Sequence, residues 1–114
     1  MNVKDLENEL NKLDENFAFQ IEQAEKDDTK ASKDGKNIIV QGVKAGEIWV
    51  HAKTANMSDF EIVLFKLLPP DDDYDFWRID TDGNIEQWDL VSFAVYVKAL
   101  QLAQKFMAAN SAKD

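Results

Sequence analysis

The chain has 114 residues, with 13 basic and 22 acidic side chains, a formal net charge of −9 and no cysteine. This excess of acid disfavours nucleic acid and membrane surfaces as partners, because proteins bind both through basic faces. The lack of cysteine excludes disulfides, thiol catalysis and thiolate metal sites. Since 45% of the residues are hydrophobic, the chain is too apolar to be disordered, and its length predicts a single domain over residues 1–114.

No signal peptide and no membrane span is expected from the sequence. The N-terminus lacks the ordered charged, apolar and small-residue regions of a signal peptide, and no apolar run approaches the roughly 20 residues of a span. We therefore expect a cytoplasmic protein. The four glycines and one histidine form no phosphate-binding loop, nucleophile elbow or metalloprotease helix, so no cofactor is expected.

The first predicted element is a helix over residues 2–24. Apolar residues recur there at intervals of three and four, which is typical of an amphipathic helix; they are Val3, Leu6, Leu10, Leu13, Phe17, Ile21 and Ala24. Phe19 does not fit this stripe, so either the regular helix ends near it or its ring is exposed. Residues 26–36 are polar and lack periodicity, which predicts a loop.

An antiparallel meander of four or five strands is predicted next. The runs with strand-forming composition are residues 37–43, 47–53, 60–68, 74–80 and 85–88. Lys44-Ala45-Gly46 suits a tight hairpin between the first two runs, and Asp82-Gly83 is a strong hairpin signal before the last.

A final helix is predicted over residues 90–109, where Asp89 can cap the first turn. Its residues are apolar on two sides, so it should be buried on two sides. Two explanations stay open: the helix lies between the sheet and the first helix, or one side is a two-fold dimer interface. The residues of such an interface would be Phe93, Tyr96, Leu100 and Met107. The predicted fold is α+β, with an N-terminal helix, the meander, and a C-terminal helix packed on the sheet.

The strands carry more apolar residues than one buried face requires. Neighbouring residues in a strand point to opposite faces of the sheet, and both faces of residues 60–68 are apolar. If both helices cover one face, an aromatic floor forms on the other and marks a binding or oligomer site. That floor would consist of Trp49, Val63, Phe65 and one of Phe76 or Trp77. If one helix covers each face, these residues are ordinary core.

The densest acidic cluster consists of Asp71, Asp72, Asp73 and Asp75. Consecutive aspartates point in different directions, which favours a solvated loop over a calcium or magnesium site. Contact with a basic partner protein and metal binding are the alternatives.

Two further segments carry no chemistry in this interpretation. Residues 80–86 resemble the middle of an EF-hand loop, but aligning Gly83 with the sixth position puts Arg78 at the first ligand, so a β-turn is predicted instead. His51 is the single histidine, which is too few for a multi-histidine zinc site, and it is interpreted as a structural residue on a sheet face. No catalytic or metal-binding residue is assigned.

The layout of helix, meander and helix, with residues 77–88 leading into the last helix, resembles the frataxin arrangement. The small size and acidic character are similar to those of bacterial secretion chaperones and toxin-neutralising immunity proteins. No motif matches these families residue by residue, so none of their functional residues is carried over.

The predicted function is a non-enzymatic protein-binding module of inhibitor, immunity or chaperone type, which recognises a basic partner through acidic and aromatic surface. The predicted contact residues are Trp49, Phe65, Trp77, Asp71, Asp72, Asp73 and Asp75. The alternative is a carrier of a small apolar ligand, or a minor enzyme, with its pocket between the sheet and the last helix.

Overall fold

The computed structural model describes residues 1–34, 37–54, 56, 58, 62–81 and 93–110. Within them the elements are α1 Val3–Leu10, β1 Phe17–Gln23, β2 Asp28–Asp34, β3 Asn37–Val43, β4 Ile48–Thr54, β5 Ile62–Leu68, β6 Arg78–Asp80 and α2 Phe93–Ala109. One sheet has the strand order β1-β4-β5-β6, and β2 and β3 form a separate pair. All strand pairs are antiparallel. The predicted α+β fold with a helix near each end of the sequence is confirmed.

Helix α1 begins with a capping box. The Asn2 side chain accepts a hydrogen bond from the Asp5 N–H at 2.8 Å, and the Asp5 carboxylate accepts one from the Asn2 N–H at 3.0 Å. These reciprocal bonds satisfy two backbone donors that a helix start otherwise leaves unpaired. The face that carries Leu6 and Leu10 is buried.

The prediction of one helix over residues 2–24 is wrong beyond Leu10, because residues 17–23 form strand β1. Phe17, Phe19 and Ile21 alternate along that strand, and Phe19 is buried in the core. A spacing of four between Phe17 and Ile21 fits a strand as well as a helix. Phe19, which broke the helical stripe, was therefore the residue that indicated a strand.

Strands β1 to β4 form one long hairpin. β1 pairs with β4 and β2 with β3, and the register runs from Phe17 opposite Thr54 to Asp34 opposite Asn37 without a slip. The hairpin is interrupted at residues 24–27 and 44–47, which contribute equal lengths to its two sides. The inner half belongs to the four-stranded sheet. We call the outer half, β2 with β3, the ribbon.

Two sequence predictions are wrong in this hairpin. Lys44-Ala45-Gly46 does not join two paired strands, because β3 pairs with β2 while β4 pairs with β1 and β5. Residues 26–36 are not simply a loop, because they contain β2. A strand outside a core-forming sheet has no need to alternate apolar and polar residues, so the polar composition of β2 concealed it.

The remaining strand predictions agree with the structure within a few residues. The runs at 37–43, 47–53 and 60–68 correspond to β3, β4 and β5. The run at 74–80 contributes only the three residues of β6. The predicted hairpin at Asp82-Gly83, the strand at 85–88 and the cap at Asp89 lie outside the described residues.

Both helices pack on one face of the four-stranded sheet. Ile48, Val50 and Ala52 alternate along β4 and are fully buried, so they share that face. They belong to one core cluster with residues of both helices, among them Leu6, Leu10, Val95, Ala99, Ala103 and Phe106. Among the described residues, no helix is long and apolar enough to span a membrane.

Candidate protein-binding surface

The structure separates the predicted contact residues into buried rings and exposed carboxylates. Phe65 is 2% exposed and Trp49 is 9% exposed, so both rings lie inside the chain. Trp77 is half-buried, whereas the aspartates at 71–73 and Asp75 are exposed. Within this chain, only the acidic part of the predicted set presents a surface to a partner.

Trp49 lies on the sheet face opposite the helices, where neighbouring side chains hold it in place. Its indole N–H donates to Glu47 Oε1 at 3.2 Å, and the Lys66 ammonium lies 4.0 Å from the ring centroid. Lys66 is also the register partner of Trp49 on β5. A cation above the ring and a hydrogen bond at its edge give Trp49 a structural role.

His51 lies on the same face as Trp49. Its Nε2 is 3.4 Å from Glu22 Oε2, and the centroid of its ring is 6.3 Å from that of Trp49. A shallow cavity of about 300 Å³ is lined by Gln20, Ile21, Glu22 and His51. One imidazole beside one carboxylate is an ordinary structural pair.

Trp77 ties the start of β6 to the end of α2. Its indole N–H donates to the Asn110 carbonyl at 2.9 Å, and its ring meets Phe106 edge-on with centroids 5.5 Å apart. The Asn110 side chain in turn donates to the Met1 carbonyl at 2.7 Å. Trp77 and Asn110 together connect the start of β6, the end of α2 and the N-terminal residue, and the Trp77 indole N–H is used inside the fold.

The exposed carboxylates belong to residues 69–77, which we call the acidic loop. Asp71 organises it: Oδ1 accepts the N–H groups of Asp73 at 2.8 Å and Tyr74 at 2.9 Å, and Oδ2 accepts Arg78 Nη2 at 3.2 Å. The Arg78 guanidinium lies 3.8 Å above the centroid of the Tyr74 ring. The loop is therefore built around an aspartate at its start and an arginine just after its end.

The same contacts lower the pKa of Asp71. The Asp73 N–H is the largest cause, partial desolvation opposes it, and the Tyr74 N–H, Arg78 and Lys44 add to the lowering. Hydrogen bonds and cations both favour the charged carboxylate. Asp71 is consequently an ionised anchor of the loop, and Asp72, Asp73 and Asp75 are the carboxylates left facing outward.

Two aromatic rings stand exposed among these carboxylates. Phe76 is 62% exposed and Tyr74 is 44% exposed, and the two rings meet edge-on with centroids 6.1 Å apart. The sequence pattern offers Phe76 only as an alternative to Trp77 and gives Tyr74 no role. The sequence signal for the exposure of these two rings is their position beside aspartates, because a solvated acidic loop offers no core in which a ring can be buried.

The predicted dimer residues of α2 are mostly used inside the chain. Tyr96 is buried, where it meets Phe65 edge-on with centroids 6.3 Å apart, and this burial raises the pKa of its phenol. Leu100 and Met107 pack against the core cluster. Phe93, at 64% exposure, is the member of the predicted set that presents its ring to solvent.

Further grooves lie on the helical side of the molecule. One of about 530 Å³ runs beside α2, with Leu13, Lys98, Leu102 and Lys105 among its lining residues. It opens on the outer side of α2, away from the sheet. In the part of the chain that the structure describes, no group of three or more histidine or carboxylate side chains is placed to hold a metal ion.

Comparisons with protein-family models, with curated proteins and with solved structures found no match for this chain. The assignment of a function therefore rests on the geometry of the acidic loop.

Proposed function

We propose that this protein is a small non-enzymatic protein-binding module that presents its acidic loop to a basic partner, in the manner of an inhibitor, an immunity protein or a chaperone. The observation that carries the proposal is the combination, in one short loop, of exposed carboxylates with the exposed rings of Tyr74 and Phe76. Such rings supply most of the affinity in many interfaces, while charges set the encounter rate and the choice of partner.

The internal support of the loop favours this role. Hydrogen bonds from the Asp73 and Tyr74 N–H groups to Asp71 hold the loop backbone in place without a partner. The Arg78 guanidinium lies over the Tyr74 ring and supports it. A loop ordered in advance loses less conformational entropy on binding. The net charge of −9 adds a long-range attraction toward a basic protein.

The test is capture of proteins from an extract of the native host, with quantification by mass spectrometry. One bait carries Asp72→Asn and Asp73→Asn and another carries Phe76→Ala. Asp71 stays unchanged, because its loss would disorder the loop and confuse two effects. The amount of protein that each variant bait captures should be about tenfold or more below the amount captured by the unchanged chain. This is the usual effect of removing a strong contact.

The matched control is Glu15→Gln with Glu25→Gln, which removes the same charge from exposed positions elsewhere. The control should keep the captured protein. Loop variants that retain it in full would overturn the proposal. With the purified partner, the association rate should fall steeply as salt is raised, because salt screens exposed charges.

The alternative from the sequence is a carrier of a small apolar ligand, or a minor enzyme. Its pocket would lie between the sheet and α2, where Val50, Ala99 and Ala103 are fully buried in one core cluster. A ligand there would have to displace packed side chains. A thermal-shift screen with apolar metabolites tests it, since a carrier should be stabilised by its ligand.

A further inference from the structure

The two exposed rings of the acidic loop differ in the surface that they offer to a partner. The Arg78 guanidinium lies 3.8 Å from the centroid of the Tyr74 ring, so one face of that ring is already occupied. Phe76 is the more exposed of the two, at 62%, and within the described residues no cation lies over its ring. Most of the Phe76 surface is therefore available to a ligand.

Two carboxylates of the loop are also available. Asp72 and Asp73 are exposed, and in the part of the chain that the structure describes their side chains form no hydrogen bond or ion pair. Asp71 differs, because it binds two backbone N–H groups and Arg78. An aromatic face and a carboxylate both attract a cation. The open part of the loop therefore fits a positively charged group.

The chain contains two cations that lie over aromatic rings, and they show which kind of cation fits best. Arg78 lies over Tyr74 and also donates to Asp71 Oδ2 at 3.2 Å. The Lys66 ammonium lies 4.0 Å from the centroid of the Trp49 ring but forms no hydrogen bond or ion pair within the described residues.

This difference follows from the shapes of the two groups. A guanidinium is planar, so one face can lie on a ring while the N–H groups at its edge bond a carboxylate. An ammonium is a compact charge, which lacks both a flat face and the forked donors. A ring in the same loop as free carboxylates therefore favours arginine over lysine.

We propose that the partner segment bound by the acidic loop presents an arginine, whose guanidinium lies on the Phe76 ring and pairs with Asp72 and Asp73. This contact repeats the arrangement of Arg78, with Phe76 in the place of Tyr74. The inference rests on the proposed function and specifies the chemistry of its partner. It implies that the loop distinguishes arginine from lysine at equal charge.

Two other ligands would use only part of this surface. An aliphatic side chain would cover the Phe76 ring but give the carboxylates no partner. A metal ion would use carboxylates but not the ring, and among the described residues no group of three or more carboxylates or histidines could hold one. A guanidinium uses both features.

The experiment compares two synthetic peptides of glycine, serine and one kind of basic residue. The peptides have the same length and the same number of charges, which are all arginine in one and all lysine in the other. Fluorescence anisotropy measures the affinity of each labelled peptide for the purified protein. The arginine peptide should bind about fivefold more tightly, as expected for a cation over an exposed ring.

Phe76→Leu tests the contribution of the ring. Leucine keeps an apolar side chain but has no aromatic face, so the arginine peptide should lose its advantage while the lysine peptide binds as before. The matched control is Phe93→Leu, because Phe93 is an equally exposed ring, at 64%, on α2. The control should keep the preference for arginine. Circular dichroism that matches the unchanged chain shows that each variant is folded.

Asp72→Asn with Asp73→Asn tests the contribution of the carboxylates. Both peptides should bind about tenfold or more weakly, because the variant removes two attractive charges. The matched control is Glu15→Gln with Glu25→Gln, which removes the same charge at other exposed positions. It should bind both peptides nearly as the unchanged chain does.

Three outcomes would overturn the inference: equal affinities of the two peptides for the unchanged chain, no binding of either peptide, or a preference for arginine that Phe76→Leu keeps. If the loop variants lose the captured host protein while the two peptides bind the unchanged chain alike, only the inference is overturned. Capture that the loop variants retain in full would overturn the proposed function and this inference together.

Discussion

Asn11 pairs with Phe19 as a neighbouring strand would. Its Oδ1 accepts the Phe19 N–H at 2.8 Å and its Nδ2 donates to the Phe19 carbonyl at 3.0 Å. β1 is an outer strand of the four-stranded sheet, so these backbone groups point away from β4. The side chain occupies the place of a missing strand and blocks pairing with another molecule at this edge.

Asn11→Ala should therefore destabilise the protein. The substitution removes the two Asn11 side-chain atoms that bind the Phe19 N–H and the Phe19 carbonyl. Leaving partly buried backbone groups unsatisfied costs about 1–3 kcal/mol. The free energy of unfolding in urea measures the loss, and light scattering should report more aggregation. Asn8→Ala is the control at an exposed helix position, with an expected change within about 0.5 kcal/mol. Equal stability of the two variants would contradict the role of Asn11.

Glu7 protects the same edge and permits a second comparison. Its Oε2 accepts the Ile21 N–H at 2.8 Å, while its Oε1 lies 3.4 Å from the exposed Lys4 ammonium. Glu7→Ala should lower the free energy of unfolding by about 1–2 kcal/mol, since hydrogen bonds to charged groups are the stronger ones. Lys4→Ala should change it by less than about 0.5 kcal/mol, because exposed ion pairs contribute little. A larger loss from Lys4→Ala would show that the ion pair is the important contact.

Alanine substitutions at Gly46 and at Gly42 should have different effects on stability. Gly46 has a φ of 85°, and an added β-carbon there would also contact Pro69. Gly46→Ala should destabilise by about 1–2 kcal/mol, the usual cost of a left-handed conformation for an L-residue. At Gly42 an added β-carbon meets nothing within 4 Å, so Gly42→Ala should be nearly neutral. Thermal unfolding compares the two, and equal melting temperatures would contradict the argument.

The acidic loop should lose its order in acid. Because the pKa of Asp71 is lowered in the folded chain, its contribution to stability is present above the ordinary aspartate pKa and is lost as pH falls through the lowered value. An NMR titration should show the amide signals of Asp73 and Tyr74 moving together with the Asp71 carboxyl. In Asp71→Asn these amides should lose that dependence. Titration of Asp71 at or above the ordinary value would contradict the hydrogen bonding described.

Part of the fold follows directly from local sequence patterns. β4 has buried apolar residues at alternate positions, β5 is apolar at nearly every position, and α2 carries more apolar residues than one helical face requires. These patterns predicted the three elements correctly. Helix α1 was predicted too long, because Phe17 and Ile21 satisfy helical and strand periods alike. Strand β2 was missed because its residues are mostly polar and it pairs only with β3, outside the four-stranded sheet, among the described residues.

The candidate site also has a part that the sequence predicts and a part that it does not. A run of aspartates after Pro69 and Pro70 is solvated in almost any fold, so the acidic loop could be predicted. The burial of Trp49 and Phe65 could not, because it depends on which side chains of neighbouring strands cover each ring. Lys66 lies seventeen positions from Trp49 and meets it only through the β4–β5 register.

The sequence by itself determined the α+β composition, the acidic charge and the exposed aspartates, because these depend on residues close together in the chain. The tertiary structure decided that both helices cover one sheet face, that Asn11 and Glu7 protect the outer edge of β1, and that Asp71 supports the loop from within. The contacts of Asn11 and Glu7 with β1 span 8 and 14 positions, and those of Asp71 span 2 to 7 positions. All of them depend on strand register, helix placement or loop conformation, which local periodicity does not determine.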